Sequence, residues 1–295
     1  MITLEQLQAG IVLPIDKPRQ WTSFQAVNKV KAVVRNTYGL KKFKIGHAGT
    51  LDPLATGLLL ICIGKATKEI PSLQDGDKVY TGTMVLGATT PCFDMEQAVD
   101  HFYSYQHITA ELIDEVRHRF EGPIMQVPPM FSAVKIDGQR AYEYARRDDP
   151  TLTVQPKPVT VHSFAITAFR ENEKLEFAPQ PHTGLTASQA IRFAQAGENE
   201  ELKDASDNSQ HSTLNSQLYK NPQCIVPPHL PQADFRICCG KGTYIRSLAR
   251  DFGTALGSGA FLASLRREQI GQYTVDQALA LDQVETYFKS GKVEV

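Results

Sequence analysis

The stretch IGHAGTLDPLATGLLLICIGKATK, residues 45–68, organises the reading of this chain. A Gly-His-Ala-Gly-Thr turn leads to Asp52, and Pro53 fixes the backbone immediately after it. Gly57 permits a close backbone approach, and residues 58–63 form a continuous apolar run, short enough for a buried strand or a helical turn. Between Lys17 and Lys68 lie ten basic residues, Lys17, Arg19, Lys29, Lys31, Arg35, Lys41, Lys42, Lys44, Lys65 and Lys68, and the only acid among them is Asp52. Positive surroundings favour the ionised form of a buried carboxyl, and an ionised carboxylate on a loop anchored by a buried element suits nucleophilic or general-base chemistry. The same residues also suit a helix cap, with Asp52 at the N-cap and Pro53 at the first helical position. Local sequence leaves both readings open.

Outward from this stretch, the charge is segregated. The chain has 295 residues with 31 Lys+Arg against 32 Asp+Glu, a net charge of −1 that would ordinarily argue against a polyanionic partner. Between residues 235 and 267 the bases Arg236, Lys241, Arg246, Arg250, Arg266 and Arg267 face only Asp251, while the compensating acids fall in 94–115, 198–207 and from Glu268 onward. A chain laid out this way can turn a basic face to phosphates while staying neutral overall. With 42% hydrophobic and 21% charged side chains the composition is that of a globular protein. No run approaches the roughly 20 apolar residues of a membrane span, and no basic-then-apolar leader opens the chain, so a soluble cytoplasmic protein is expected. Cys62, Cys92, Cys224, Cys238 and Cys239 lack any C-x-x-C spacing and read as reduced thiols, and the eight histidines lack ligand spacing, so no metal is expected.

Periodicity predicts a strand over 11–16 and a helix over 23–36, started by Thr22 or Ser23 and striped by Val27, Val30, Val33 and Val34. It predicts a strand over 78–86, a helix over 109–119, β structure over 159–169 and 234–239, and an amphipathic helix over 244–256. Further helices are expected from 258–265 and over 275–289. Pro123, Pro128 and Pro129 make 122–135 a rigid loop rather than an element interior. Residues 181–231 are polar and biased, and read as an insertion, helical near 187–196 and otherwise a surface segment. Strands and helices mix without a strict βαβ rhythm, which supports only an α+β class.

HAGTLDPLATGLL resembles the catalytic motif of the bacterial tRNA pseudouridine-55 synthases, the TruB family. It does so together with a Lys-x-Tyr strand start at Tyr80, QVPPMFSAVKIDGQRAYEYAR (126–146) and GKGTYIRSLARDFGTALGSGAFLASLRREQIG (240–271), all in family order. The resemblance covers roughly residues 10–170 and 233–275. It implies a central mixed, largely antiparallel sheet flanked by helices with an active-site cleft across it. It also implies isomerisation of uridine in the T-loop of tRNA without metal or organic cofactor. By motif position, Asp52 would be the nucleophile, Tyr80 would stack on the flipped uracil near the proton leaving C5, and Arg246 would pair with Asp52. His47 would contact the rearranged loop, Tyr244 and Leu265 would line the pocket, and Lys17 in IDKPRQWTS would lie near substrate phosphates. Two departures stand out: Gln20 replaces the usual glycine, and Pro91-Cys92 replace the usual Asp and Thr ahead of a retained Asp94, taken as pocket-supporting.

The C-terminus departs further: many family members end in a small RNA-binding PUA domain, but here some two dozen residues follow Gly271. A catalytic domain over 1–275 and a C-terminal helix and tail over 276–295 without a PUA domain are therefore expected, in a monomer gripping the T-arm chiefly through the bases of 29–44. Two other classes are weighed. Ser132-Ala-Val-Lys135, Ser206-Asp207-Asn208 and Lys241-Gly242-Thr243 loosely imitate a serine acyl-enzyme, but the second lies in the polar insertion and the first in a Pro-rich stretch. A non-catalytic RNA-binding protein would use the same basic face but has no need of a lone carboxylate at its centre.

Overall fold

The structure is a computed structural model, described for residues 2–129, 135–136, 139–140, 154–174 and 229–290. Helix α1 (Leu4–Ala9) starts from a Thr3/Gln6 capping box and leads into strand β1 (Ile11–Lys17), whose Leu13, Ile15 and Lys17 are buried in alternation. A second capping box, Thr22 with Gln25, starts α2 (Ser23–Tyr38), and Gly39 ends it in the left-handed conformation at φ 64°. The valine stripe of α2 is buried as its spacing predicts.

Strands β2 (Ile45–Ala48) and β3 (Thr56–Ile63) form an antiparallel pair, Ile45 opposite Ile63 and Ala48 opposite Leu60. Residues 49–55 therefore project as a loop from one end of this hairpin. Strand β3 is buried on both faces: Leu59, Ile61 and Ile63 join the main core, while Leu58 and Leu60 join a smaller cluster with Ala48 and Ile270. Double burial is why its sequence shows no alternation. No helix begins at Asp52. The Ala55 N–H donates back to the Asp52 carbonyl at 3.1 Å and the chain enters β3 directly, which removes the helix-cap reading.

Short α3 (Ile70–Asp75) precedes β4 (Lys78–Leu86), and the pair β5 (Ala88–Thr89) and β6 (His101–Phe102) precedes α4 (Ala110–Arg117) and β7 (Gly122–Gln126). After the small hairpin β8 (Lys135–Ile136) and β9 (Gln139–Arg140) come the long strands β10 (Lys157–Lys174) and β11 (His229–Cys239), then α5 (Ile245–Ala255) and β12 (Ala260–Ile270). Strands β13 (Tyr273–Thr274) and β14 (Leu279–Ala280) and helix α6 (Val284–Ser290) close the described chain. The main sheet runs β14-β1-β3-β12-β4-β11-β10-β7, with β2 added on β3 and β13 on β12. Only β1 with β14 and β3 with β12 pair in parallel; the other pairings are antiparallel. This is the mixed, largely antiparallel sheet that was expected. Helices α2, α4, α5 and α6 bury residues in the main core against it, and Phe252 of α5 packs edge-on against Phe164 and Phe120 at ring distances of 5.1 and 5.7 Å.

Four expectations are corrected. The stretch 258–265 is not a helix but the start of β12, at the centre of the sheet: Ala260 and Leu262 face the main core and Phe261 faces a second cluster with Val85 and Leu230. Burial on two faces gives Phe and Leu a strand position that helix-compatible composition had concealed. The rigid loop over 122–135 holds β7, where Pro123 is tolerated because β7 is an edge strand paired only to β10. The helix over 275–289 is shorter: β14 intervenes and α6 spans only Val284–Ser290. The last residues of the supposed insertion, 229–231, belong to β11. The helix near 187–196, Ser132 and the Ser206-Asp207-Asn208 triplet lie outside the described residues. Among the described residues no helix is long and apolar enough to cross a membrane.

Candidate active site

The loop 49–55 is held on three sides. On one side, Ser23 in the first turn of α2 exchanges two hydrogen bonds with Leu51, the Leu51 N–H donating to Oγ at 2.9 Å and Oγ donating to the Leu51 carbonyl at 3.2 Å. On a second, the Pro53 carbonyl accepts from the Gln20 N–H at 2.8 Å and from Lys17 Nζ at 3.4 Å. On the third, the Arg267 guanidinium on β12 donates to the carbonyls of Gly49 at 3.1 Å, Thr50 at 3.4 Å and Leu58 at 2.8 Å. Gly57 makes that third contact possible: a Cβ there would lie 2.3 Å from the Arg267 carbonyl oxygen.

Asp52, at the tip of this loop, is pinned by Arg246 in the first turn of α5. Nε donates to Oδ2 at 2.9 Å and Nη2 to Oδ1 at 3.0 Å, while Nη1 donates to the Cys92 carbonyl at 3.1 Å. Such a fork fixes orientation as well as charge. The side chain of Arg246 is 5% exposed and that of Asp52 is 36% exposed, so the carboxylate faces outward from a buried guanidinium. Asp94 flanks the same guanidinium at 3.7 Å and accepts from the Glu96 N–H at 2.9 Å. Burial raises the pKa of Asp94 against the pull of Arg246. Burial works against the Arg246 charge, but Asp52 and Asp94 outweigh it and its pKa is raised.

Tyr80 on β4 is buried in the main core. Burial raises its pKa, opposed by the charge of Arg267, which stands opposite it on β12. His47, opposite Ile61 in the β2–β3 pair, has its Nδ1 shut off from solvent without a well-formed hydrogen bond. Burial and then Arg267 lower its pKa. Leu265 sits on β12 opposite Gly82 and is partly buried against the core. Tyr244 caps α5, and its backbone is gripped by the Gln126 side chain: the Tyr244 N–H donates to Oε1 at 2.8 Å and Nε2 donates to the Tyr244 carbonyl at 3.1 Å.

Lys17 is placed differently from its expectation. It is fully buried, and its ammonium donates to the carbonyls of Pro18, Trp21 and Pro53, so it braces the Asp52 loop from beneath instead of meeting phosphates. Burial lowers its pKa to about 8, with Asp52 pulling the other way. Sequence reading also passed over Gln126, Ser23 and Arg267, each of which holds another residue's backbone. Gln126 and Arg267 did fall inside the quoted motifs, the one signal that could have found them.

A domain model described as TruB family pseudouridylate synthase (N terminal domain) matches residues 35–185, and one described as tRNA pseudouridylate synthase B C-terminal domain matches residues 246–294. The chain is 44% identical over 279 residues to the tRNA pseudouridine synthase B of Flavobacterium johnsoniae, covering 94% of this chain and 96% of that protein. The chain belongs to the TruB family. It is therefore a pseudouridine synthase, an isomerase. It is also 39% identical over 285 residues to the tRNA pseudouridine synthase B of Phocaeicola vulgatus, covering 97% of this chain and 96% of that protein. Among solved structures, the TruB chain resembles one from "Crystal Structure of a Cbf5-Nop10-Gar1 Complex" with a TM-score of 0.55 and 23% identity, covering 98% of this chain and 58% of that one. At that identity the likeness concerns the fold alone, and this chain spans well under two thirds of the solved one.

Both TruB departures have a visible local consequence. Gln20, where glycine is usual, has φ 68°, the left-handed region that glycine occupies freely. In the Pro91-Cys92 stretch, the Cys92 carbonyl receives Arg246, while the Asp94 carbonyl accepts from Thr90 Oγ1 at 2.7 Å and from Cys92 Sγ at 3.5 Å. The C-terminal match runs through α5, β12 and α6 and takes in residues 276–294.

Proposed function

We propose that this chain isomerises uridine 55 in the T-loop of transfer RNA to pseudouridine, as a cytoplasmic monomer acting on the T-arm without metal or organic cofactor. The observation that carries this reading is the forked Arg246–Asp52 pair, which leaves an oriented carboxylate facing solvent. The names of the curated relatives, tRNA pseudouridine synthase B, supply the substrate class.

The target uridine leaves the stack, because its glycosidic bond is unreachable inside the loop. Asp52 acts at the ribose, as nucleophile on C1′ or as base at C2′. The C1′–N1 bond breaks, the uracil turns, a C1′–C5 bond forms, C5 loses its proton and N1 gains one, so the base is rearranged with no net change in atoms. Tyr80 stacks on the turned uracil near that proton, Tyr244 and Leu265 line the pocket, and His47 contacts the rearranged loop. Arg246 holds Asp52 through each change of its charge, and Asp94 supports Arg246. Phosphates of the T-arm meet the bases of 29–44, so affinity falls steeply with salt.

The test is tritium release from a T-arm stem-loop carrying 5-tritiated uridine. Asp52→Asn is expected to abolish release while binding stays within a few-fold. Release at the parental rate would refute the role of Asp52, and loss of binding together with release would make Asp52 a structural residue of an RNA-binding protein.

A further inference from the structure

Arg267 is the largest fully buried side chain of the main sheet, 2% exposed, and among the described residues it has no carboxylate partner. Its neighbour Arg266, by contrast, is partly exposed and paired with Asp16 at 2.8 Å. A buried guanidinium without a counter-charge is costly, and proteins keep one only where its hydrogen bonds are made. Those of Arg267 go to three carbonyls, Gly49, Thr50 and Leu58, which bracket Asp52 in the chain. Of the five N–H groups on a guanidinium this leaves two, and Tyr80 is the residue directly across from Arg267 in the β12–β4 pairing.

Topology explains why one side chain can do both. Strand β12 lies between β3, which carries the Asp52 loop at its start, and β4, which carries Tyr80. In the register of the sheet Arg267 stands opposite Gly57 on one side and Tyr80 on the other. A carboxylate placed beside Arg267 would satisfy its charge but draw the guanidinium off the loop carbonyls. Its absence leaves the fork free for the loop.

We infer that Arg267 is a positioning residue for the reaction proposed above, a clamp on the central strand that sets the Asp52 loop in fixed relation to Tyr80 on the neighbouring strand. It touches neither the ribose nor the base. It acts by holding the Asp52 loop on one side of β12 while packing beside Tyr80 on the other. The inference rests on the proposed reaction for its catalytic consequence, but the clamp itself is a statement about this chain alone.

The test compares the parent with Arg267→Gln and Arg267→Lys in single-turnover tritium release and in binding of the same stem-loop. Release by R267Q is expected to slow by at least about tenfold while binding stays within about threefold. R267K, which keeps the charge but not the fork, should recover only part of the rate. Burial and then the Arg267 charge lower the pKa of His47, so its imidazole should titrate at higher pH in R267Q but near the parental position in R267K by NMR, whereas loosened packing would raise it in both. Turnover by R267Q within threefold of the parent, or a rate loss matched by an equal loss of binding, would overturn the inference. Should R267Q fail to fold, R267K decides by the same criteria. If the parent itself releases no tritium, the reaction proposed above fails, and amide hydrogen exchange over residues 49–55 still decides whether the clamp exists, since it should quicken in R267Q relative to the parent and an unchanged rate would overturn the clamp.

Discussion

Arg246 meets Asp52 across 194 residues of sequence with two parallel hydrogen bonds, and its remaining terminal nitrogen is anchored on the Cys92 carbonyl. The guanidinium is thus fixed from behind before it touches the carboxylate, and the carboxylate inherits that fixity. A point charge in its place would keep the attraction and lose the aim. Arg246→Lys should therefore lower single-turnover release by about 10- to 100-fold, the range expected for losing charged hydrogen bonds of about 1.5–3 kcal/mol. Stem-loop binding should stay within about threefold. A variant that binds more weakly but turns over at the parental rate would show that Arg246 contacts RNA instead.

Lys17 gives the fold a pH dependence. Its pKa in the folded protein, about 8, lies below the ordinary 10.5, so between these values the unfolded chain binds more protons than the folded one. Stability contributed at this site therefore rises with pH across that window, as the cost of burying the charge is relieved. Relative to Lys17→Met, the parent should gain up to about 3 kcal/mol in urea unfolding between pH 8 and pH 10.5. Parallel stability curves for the two proteins would mean that Lys17 carries no buried charge.

The uneven legibility of this chain follows from what each residue type can signal. The valine stripe of α2 is readable because that helix buries a single face, and period alone then identifies it. Strand β12 was misread because it is covered on both sides, so Phe261 and Leu262 are both buried and the period disappears. Within the site, Asp52 and Arg246 were visible through their charge in recognisable motifs. Lys17 was visible for the same reason and misplaced, since a charge in the sequence does not tell whether it faces phosphate or a ring of carbonyls. Gln126 and Ser23 were invisible, because a side chain that bonds another residue's backbone leaves no complementary residue type to notice.

Gln20 offers a stabilising substitution. A non-glycine residue in the left-handed region costs about 1–2 kcal/mol, and glycine loses about 0.5–1 kcal/mol of that advantage to its freedom in the unfolded chain. The bond from the Gln20 N–H to the Pro53 carbonyl is retained by glycine. Gln20→Gly should raise unfolding stability by about 0.5–1 kcal/mol with turnover unchanged, measured by urea titration and tritium release. A loss of stability would show that the side chain of Gln20 contributes more than its strained backbone costs.

Gln126 carries the last prediction, because it joins a sheet edge to the aim of Arg246. Helix α5 starts at Tyr244 without a capping side chain of its own, and the buried amide of Gln126 on β7 takes up both the N–H and the carbonyl of that residue. Val127, next in the chain, accepts from Ser247 Oγ at 2.8 Å and from Arg250 Nη2 at 3.0 Å, so the first turns of α5 are tied twice to the same strand end. Gln126→Leu keeps the volume but removes both bonds: the Tyr244 carbonyl keeps the bond from the Leu248 N–H at 3.0 Å, while the Tyr244 N–H loses its Gln126 acceptor in a dry site, a loss of about 1–3 kcal/mol. Arg246 lies two residues beyond Tyr244, and a shift there moves the fork off Asp52. The variant should therefore unfold at lower urea and, under conditions where it is fully folded, lose single-turnover rate by more than it loses affinity. Gln126→Glu keeps the acceptor for the Tyr244 N–H and should fall between the two. If Q126L keeps the parental rate when folded, the start of α5 is set by its own packing, and the edge strand has no part in orienting Asp52.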